Sequence, residues 1–344
     1  MTHSVTRRGV LVGGTAAALS GTPVFSSLAS APQPLMDAGE LTARVMRFLA
    51  MLDTQKKTQA SFDWNGRAWR RWNYFGGGRF IKPGLRLEQM SETEKDATWS
   101  ILSAVLSPEG LTKAKSVMLL QDILAAAGNG RGQRSSQRFS VAIFGTPGPQ
   151  TAWGLRLEGH HLSLSFSVRN NRLVSVTPAA FAALPNRVMS GGHKGLYTLE
   201  AEETLARRLQ ADLAPRLQAR AQLSEGRLFN ILSYAGRERS NTEQVGLAAA
   251  DMTDGQRSVL RQLIETYAVA PYVSDLAKAQ QSRLKQTDLA SVHFAWYGPN
   301  QAEQSFGYRI IADKFVIELG CIDRKAQHLH PVYHDLENTL GTSA

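Results

Sequence analysis

The chain of 344 residues has one cysteine, Cys321, so no internal disulfide framework can brace it. That is unusual for a small secreted scaffold and suits a large domain that folds before export. Long apolar runs are also missing. The N-terminal run ending at Leu19 is too short, and too rich in Gly, Ala and Thr, to supply the ~20 apolar residues of a spanning helix. No G-x-S-x-G elbow, Walker loop, Rossmann glycine fingerprint or H-E-x-x-H is present, which leaves several common enzyme classes and any nucleotide cofactor unsupported. No nucleic-acid-binding motif accompanies the net charge of +10, so that charge reads as solubility and weak attraction to anionic surfaces.

Acidic residues are absent from the first 31 positions, where three signals of a targeting segment stand instead. Thr6-Arg7-Arg8-Gly9-Val10-Leu11 is a twin-arginine pattern, a weakly apolar run follows, and Ala29-Ser30-Ala31 is an A-x-A cleavage site. The expected product is a mature protein of residues 32–344, periplasmic or secreted by the twin-arginine route. That route carries proteins already folded, often with a cofactor or metal inside. No membrane attachment is expected after cleavage of this signal peptide.

Compared with itself, the chain shows a repeat. Gly84-Leu85, Met90-Ser91-Glu92-Thr93-Glu94 and Ile101-Leu102 recur 162 positions on as Gly246-Leu247, Met252-Thr253-Asp254-Gly255-Gln256 and Leu263-Ile264. Both copies place Ser or Thr three residues before Glu or Gln, a capping box at a helix start. At a shift of 153, Phe144-Gly145 meets Tyr297-Gly298, Trp153-Gly154-Leu155-Arg156 meets Phe306-Gly307-Tyr308-Arg309, and Pro178 meets Pro331. The change of shift puts an insertion at 128–137 in the first copy. The expected fold class is α+β. Two pseudo-symmetric copies, about 84–178 and 246–335, each hold two helices and about four antiparallel strands, packed as one large domain. Further helices are expected over 37–57 and 199–220. The aromatic and arginine-rich stretch from Trp64 to Phe75 could line a groove but reads better as a twisted edge strand with inward-packed aromatics.

Histidines are few and unevenly placed. Five of the seven beyond the N-terminal segment fall in two clusters: His160-His161, and His328-Leu329-His330 with His334 behind. Each cluster belongs to one copy, since His160 and His161 align with Asp313 and Lys314, and His328 and His330 with Ser175 and Thr177. In a strand, residues two apart point the same way, so His328 and His330 can offer two imidazoles to one point. A third ligand from a neighbouring element then leaves an open position for water or substrate. Only one of His160 and His161 would face such a site if the chain is extended there. Glu318 and Glu158 are the carboxylates for acid–base or supporting roles. Arg156 is a candidate anion clamp. Cys321, His193 and His293 read as core residues.

Four blocks resemble the uncharacterised "domain of unknown function 3500" proteins: Gly84-Leu85-Arg86-Leu87, Phe144-Gly145-Thr146-Pro147, the G-H-H-L-S stretch within residues 153–163, and H-x-H-x-x-x-x-D at residues 328–335. Departures from that family's pattern lie outside the two histidine pairs. They are Gln327 before His328, His334 in place of an arginine, and Thr339-Leu340-Gly341 at the close. The resemblance implies a site and no activity. The favoured reading is an exported metal-dependent enzyme that holds zinc through His328, His330 and one or both of His160 and His161 for hydrolysis of a small molecule. The same ligands would serve a copper or iron oxidoreductase or a non-catalytic periplasmic metal- or ligand-binding protein. A third class makes the histidines hydrogen-bonded core residues. Substrate and oligomeric state are left open.

Overall fold

In the computed structural model, which describes residues 34–76, 82–129 and 134–341, helices and strands follow one another in two runs of similar order. The first run is β1 (Met36–Asp37), α1 (Gly39–Met51), α2 (Thr54–Ala60), β2 (Ser61–Phe62), α3 (Arg67–Arg70), β3 (Leu85–Arg86), α4 (Glu92–Leu102), α5 (Pro108–Ala126), β4 (Ser140–Phe144), β5 (Ala152–Gly159), β6 (Leu162–Arg169) and β7 (Arg172–Ser175). After β8 (Ala179–Phe181) come α6 (Glu200–Asp212), α7 (Pro215–Ala221), β9 (Gln222–Ser224), β10 (Leu247–Ala248), α8 (Asp254–Ala268), α9 (Ser274–Gln286), β11 (His293–Tyr297), β12 (Gly307–Ile311), β13 (Phe315–Cys321) and β14 (Leu329–Asp335). The targeting segment expected at 1–31 lies outside the described residues, as do residues 130–133 of the expected insertion.

Local signals account for the matching starts. Ser91 and Thr253 cap α4 and α8, each accepting from the amide three residues on, while Glu94 and Gln256 reach back to the cap amides. Gly84 and Gly246 enter β3 and β10 at φ +115° and +94°. A Cβ there would stand 2.4 Å from the carbonyl oxygens of Val141 and Phe294, so only glycine fits.

Three local expectations are corrected. The helix expected over 37–57 is two, because Asp53 caps a new start by accepting from the Lys56 amide. The helix expected over 199–220 stops at Asp212; Pro215, lacking an N–H, opens α7 instead. The stretch from Trp64 to Phe75 is no edge strand but the short α3 and irregular backbone, although Trp69, Trp72 and Tyr74 do pack inward.

All the strands belong to one mixed sheet whose main path is β10-β11-β12-β13-β14-β8-β6-β5-β4-β2. Most pairs are antiparallel; β2 with β4 and β9 with β11 are parallel. β8 joins the halves, pairing with β14 at Tyr333–Ala179 and with β6 at Leu162–Phe181. Both faces of the sheet are covered. On β4, Val141 and Ile143 join the main core with Leu102, Leu120 and Leu263 from the helices, while Ala142 and Phe144 face a second cluster with Trp69, Trp72 and Ile231. Residues 63–76 and 225–245 roof this second face. It also carries Arg156, which stands opposite Ala142, and Glu318, which stands opposite Val332. The described residues make one compact unit, and none of their helices is long and apolar enough to cross a membrane.

Candidate metal centre

β5 and β6 are joined by the turn His160–His161. His161 takes φ +73°, a left-handed conformation uncommon for a residue with a Cβ. Its amide donates to the Tyr74 carbonyl at 2.8 Å and its carbonyl accepts from the Ala182 amide at 2.7 Å, which holds that backbone in place. Across β8, Asp323 Oδ1 accepts from the amides of Gln327 and His328 at 3.0 and 3.2 Å and fixes the entry to β14. His328 and His330 then lie two apart on one side of the chain, as strand periodicity requires.

Three Nε2 atoms meet as a result. His161 to His328 is 3.0 Å, His328 to His330 is 3.0 Å and His161 to His330 is 3.3 Å. A tetrahedral zinc with bonds of about 2.05 Å holds its nitrogens about 3.3 Å apart. The trio therefore needs to open by only a few tenths of an ångström to match such a ligand set. His161, His328 and His330 are a group that could hold a metal ion.

The tautomer of His330 follows from its neighbours. Asn230 Oδ1 lies 2.9 Å from the Ile231 amide, an obligate donor, so the atom there is the oxygen. The same oxygen accepts from Tyr74 Oη and from His330 Nδ1, both at 3.1 Å. His330 thus carries its proton on Nδ1 and turns the Nε2 lone pair toward the other rings. Burial, reinforced by the Glu318 charge, holds the Tyr74 phenol well above its usual range and keeps it a donor. Burial likewise holds His161 and His330 well below the ordinary histidine range, with neighbouring histidines adding to the effect, and lowers His328. Neutral imidazoles are the form a metal requires. His328 is half-buried whereas His161 and His330 are buried. His161 Nδ1 is buried without a hydrogen-bond partner among the described residues.

The structure does not bring His160 into the trio. Its ring packs 3.9 Å from that of His161, but Nδ1 lies against Gln121 Oε1 at 2.9 Å and Arg134 Nη1 at 3.0 Å. Burial first, then the Arg134 charge, pushes its pKa down to about 3. Glu318 has both oxygens engaged: Oε1 with Arg309 at 2.7 Å, and Oε2 with the amides of Leu232 and Ser233 and the Ser233 hydroxyl. It is an anchor for the 225–245 roof, one strand away from the ligands. Arg156 is buried, donating to Ser165 Oγ at 2.9 Å and to the carbonyls of Ala68 and Trp69, with Trp69 and Phe144 against its guanidinium. These contacts fix α3 to the sheet and place the charge in the core. Glu158 Oε1 accepts from the Asn73 amide at 2.6 Å and Ser163 Oγ at 3.0 Å; its Oε2 is buried without a partner among the described residues. His334 Nε2 donates to the Ser233 carbonyl at 2.7 Å and stands apart from the trio. His193 is exposed in a loop and His293 half-buried, so neither is a core residue; Cys321 is buried, its thiol directed at the Asp323 carbonyl.

Asn230, Gln121, Arg134 and Lys82 have no part in the sequence reading. Each lies far along the chain from the histidines it approaches and has no spacing relation to them. The one usable signal is Asn230 as a lone amide within Leu228-Phe229-Asn230-Ile231-Leu232.

A family model described as "Protein of unknown function (DUF3500)" matches residues 36–342, so the chain belongs to that family. Neither the curated proteins nor the solved structures include a match.

Proposed function

We propose that this family member is a metal-dependent enzyme of zinc-type hydrolytic chemistry, with His161, His328 and His330 as ligands. The observation that carries the reading is the meeting of three Nε2 atoms within 3.3 Å of one another. His161, His328 and His330 would hold the ion as neutral imidazoles, and a bound zinc would supply Lewis acidity that brings the ionisation of water to near pH 7. Asn230 orients His330 for this role, as a partner on the far ring nitrogen does in metal sites generally. Of the two carboxylates, Glu318 has no oxygen to spare, whereas Glu158 Oε2 has no hydrogen-bond partner among the described residues, so the acid–base role falls to Glu158. The partner is a small-molecule substrate. Export by the twin-arginine route is part of the proposal and rests on Arg7-Arg8 and Ala29-Ser30-Ala31.

We also infer that the chain is a tandem duplication that reaches further back than the sequence match. α1 and α6 have 13 residues each, α2 and α7 have 7 each, and β2 and β9 each run parallel to the first long strand of their half. On this reading the centre belongs to the seam, with His161 and Tyr74 from one copy and Asn230, His328 and His330 from the other.

Cobalt substitution tests the function. An open position predicts a visible spectrum that changes with a pKa near 7 and shifts on adding azide. A spectrum indifferent to both would mean a closed sphere and a metal-binding protein without hydrolytic chemistry.

A further inference from the structure

Two cations, Arg134 and Lys82, act on His160, the residue next to the ligand His161. Arg134 Nη1 donates to Gln121 Oε1 at 2.9 Å and meets His160 Nδ1, and the His160 ring packs directly on that of His161. Arg134 makes no ion pair among the described residues, and its Nε and Nη2 have no hydrogen-bond partner there. Lys82 Nζ donates to the carbonyl and the side-chain oxygen of Asn73, again with no ion pair among the described residues. The segments outside the described residues contain no Asp or Glu, so no acidic side chain from them can supply the missing charge. Glu158 is the nearby carboxylate, and it is already offset by two cations, Lys82 and the buried Arg156.

Desolvating a cation is costly, and Lys82 registers that cost: burial pushes its pKa down to about 8 even though Glu158 acts in the opposite direction. A guanidinium with a free Nε–Nη2 edge matches the paired oxygens of a carboxylate or phosphate. We propose that Arg134 and Lys82 form an oxyanion-binding subsite beside the histidine trio, which selects small molecules carrying a carboxylate or phosphate. This rests on the metal reading for what happens to the substrate, though not for the binding of the anion. It replaces Arg156, whose donors are spent on the fold, as the anion clamp.

The test is calorimetric titration of inorganic phosphate, and separately of acetate, into zinc-loaded and metal-free protein, with Arg134→Gln and Lys82→Met compared after circular dichroism confirms their fold. Both variants are expected to weaken the preferred anion about tenfold or more in both metal states, with zinc content unchanged. Preference for phosphate over acetate, or the reverse, identifies the group. Anion binding that needs zinc and ignores both substitutions would overturn the subsite and leave the metal centre standing. Protein that takes no zinc yet loses phosphate binding on Arg134→Gln would do the opposite. Absence of binding by either anion to folded wild-type protein would overturn the subsite as well.

Discussion

Replacing Asn230 with Ala is expected to weaken metal binding while leaving all three ligands in the chain. The perturbation removes the oxygen that accepts from His330 Nδ1, Tyr74 Oη and the Ile231 amide. His330 would lose the bond that fixes its proton on Nδ1, and its Nε2 lone pair would be shared between two tautomers and several ring angles. Loss of such a supporting partner costs about 10- to 100-fold in metal affinity, or about 1.4 to 2.7 kcal/mol. Tyr74→Phe keeps the acceptor and its contact with the Ile231 amide, so it should cost only about threefold, the worth of one neutral hydrogen bond. Asn230→Asp preserves all three accepted bonds and should restore affinity to the wild-type level or above it. Competition for zinc against a chromophoric chelator at about pH 7.5, where the ligands are neutral, reads all four proteins. Wild-type affinity in the alanine variant, alongside loss of zinc in His330→Ala, would refute the tautomer argument.

Glu318→Gln leaves Arg309 buried without its charge partner, which should cost about 3 to 5 kcal/mol in urea unfolding yet spare the zinc content of the folded protein. Loss of zinc from folded Glu318→Gln would return Glu318 to the metal site. Acid should destabilise the metal-free protein. The buried histidines titrate lower when folded than unfolded, so the unfolded chain takes up more protons below about pH 6.5. Their contribution is complete above that pH and is lost as pH falls toward the folded values, at up to about 1.4 kcal/mol per pH unit for each histidine. A urea midpoint unchanged between about pH 7.5 and about pH 5.5 would contradict this. Ser91→Ala and Thr253→Ala, at the two helix starts with capping boxes, should each cost about 1 kcal/mol. A large difference between the two would argue against equivalent roles.

The parts of the fold that could be read in the sequence are those set by short-range chemistry. Capping boxes at Ser91 and Thr253 specify helix starts through bonds within four residues, and the period of two in His328-Leu329-His330 specifies a shared direction on β14. Helix breaks at Asp53 and Pro215 are equally local, but an apolar stripe running across them obscures the change of axis. Choosing between His160 and His161 depends on a left-handed backbone held by Tyr74 and Ala182, contacts that adjacent residues do not reveal. Glu318 and Arg156 illustrate the same limit. A lone charge inside an apolar strand signals a buried partner, yet only the tertiary fold shows that the partners are Arg309, the Ser233 amide and two carbonyls of α3. Asn230 reaches His330 across one hundred residues, from a roof whose path no periodicity marks.

The most direct test of the central claim is elemental analysis of the protein purified without a histidine tag, beside a His328→Ala/His330→Ala variant whose fold is checked by circular dichroism. The account predicts close to one equivalent of a transition metal, zinc foremost, in the wild type and none in the folded variant. Wild-type protein that holds no metal even after reconstitution, or a variant that retains it, would contradict the claim that His161, His328 and His330 form a metal centre.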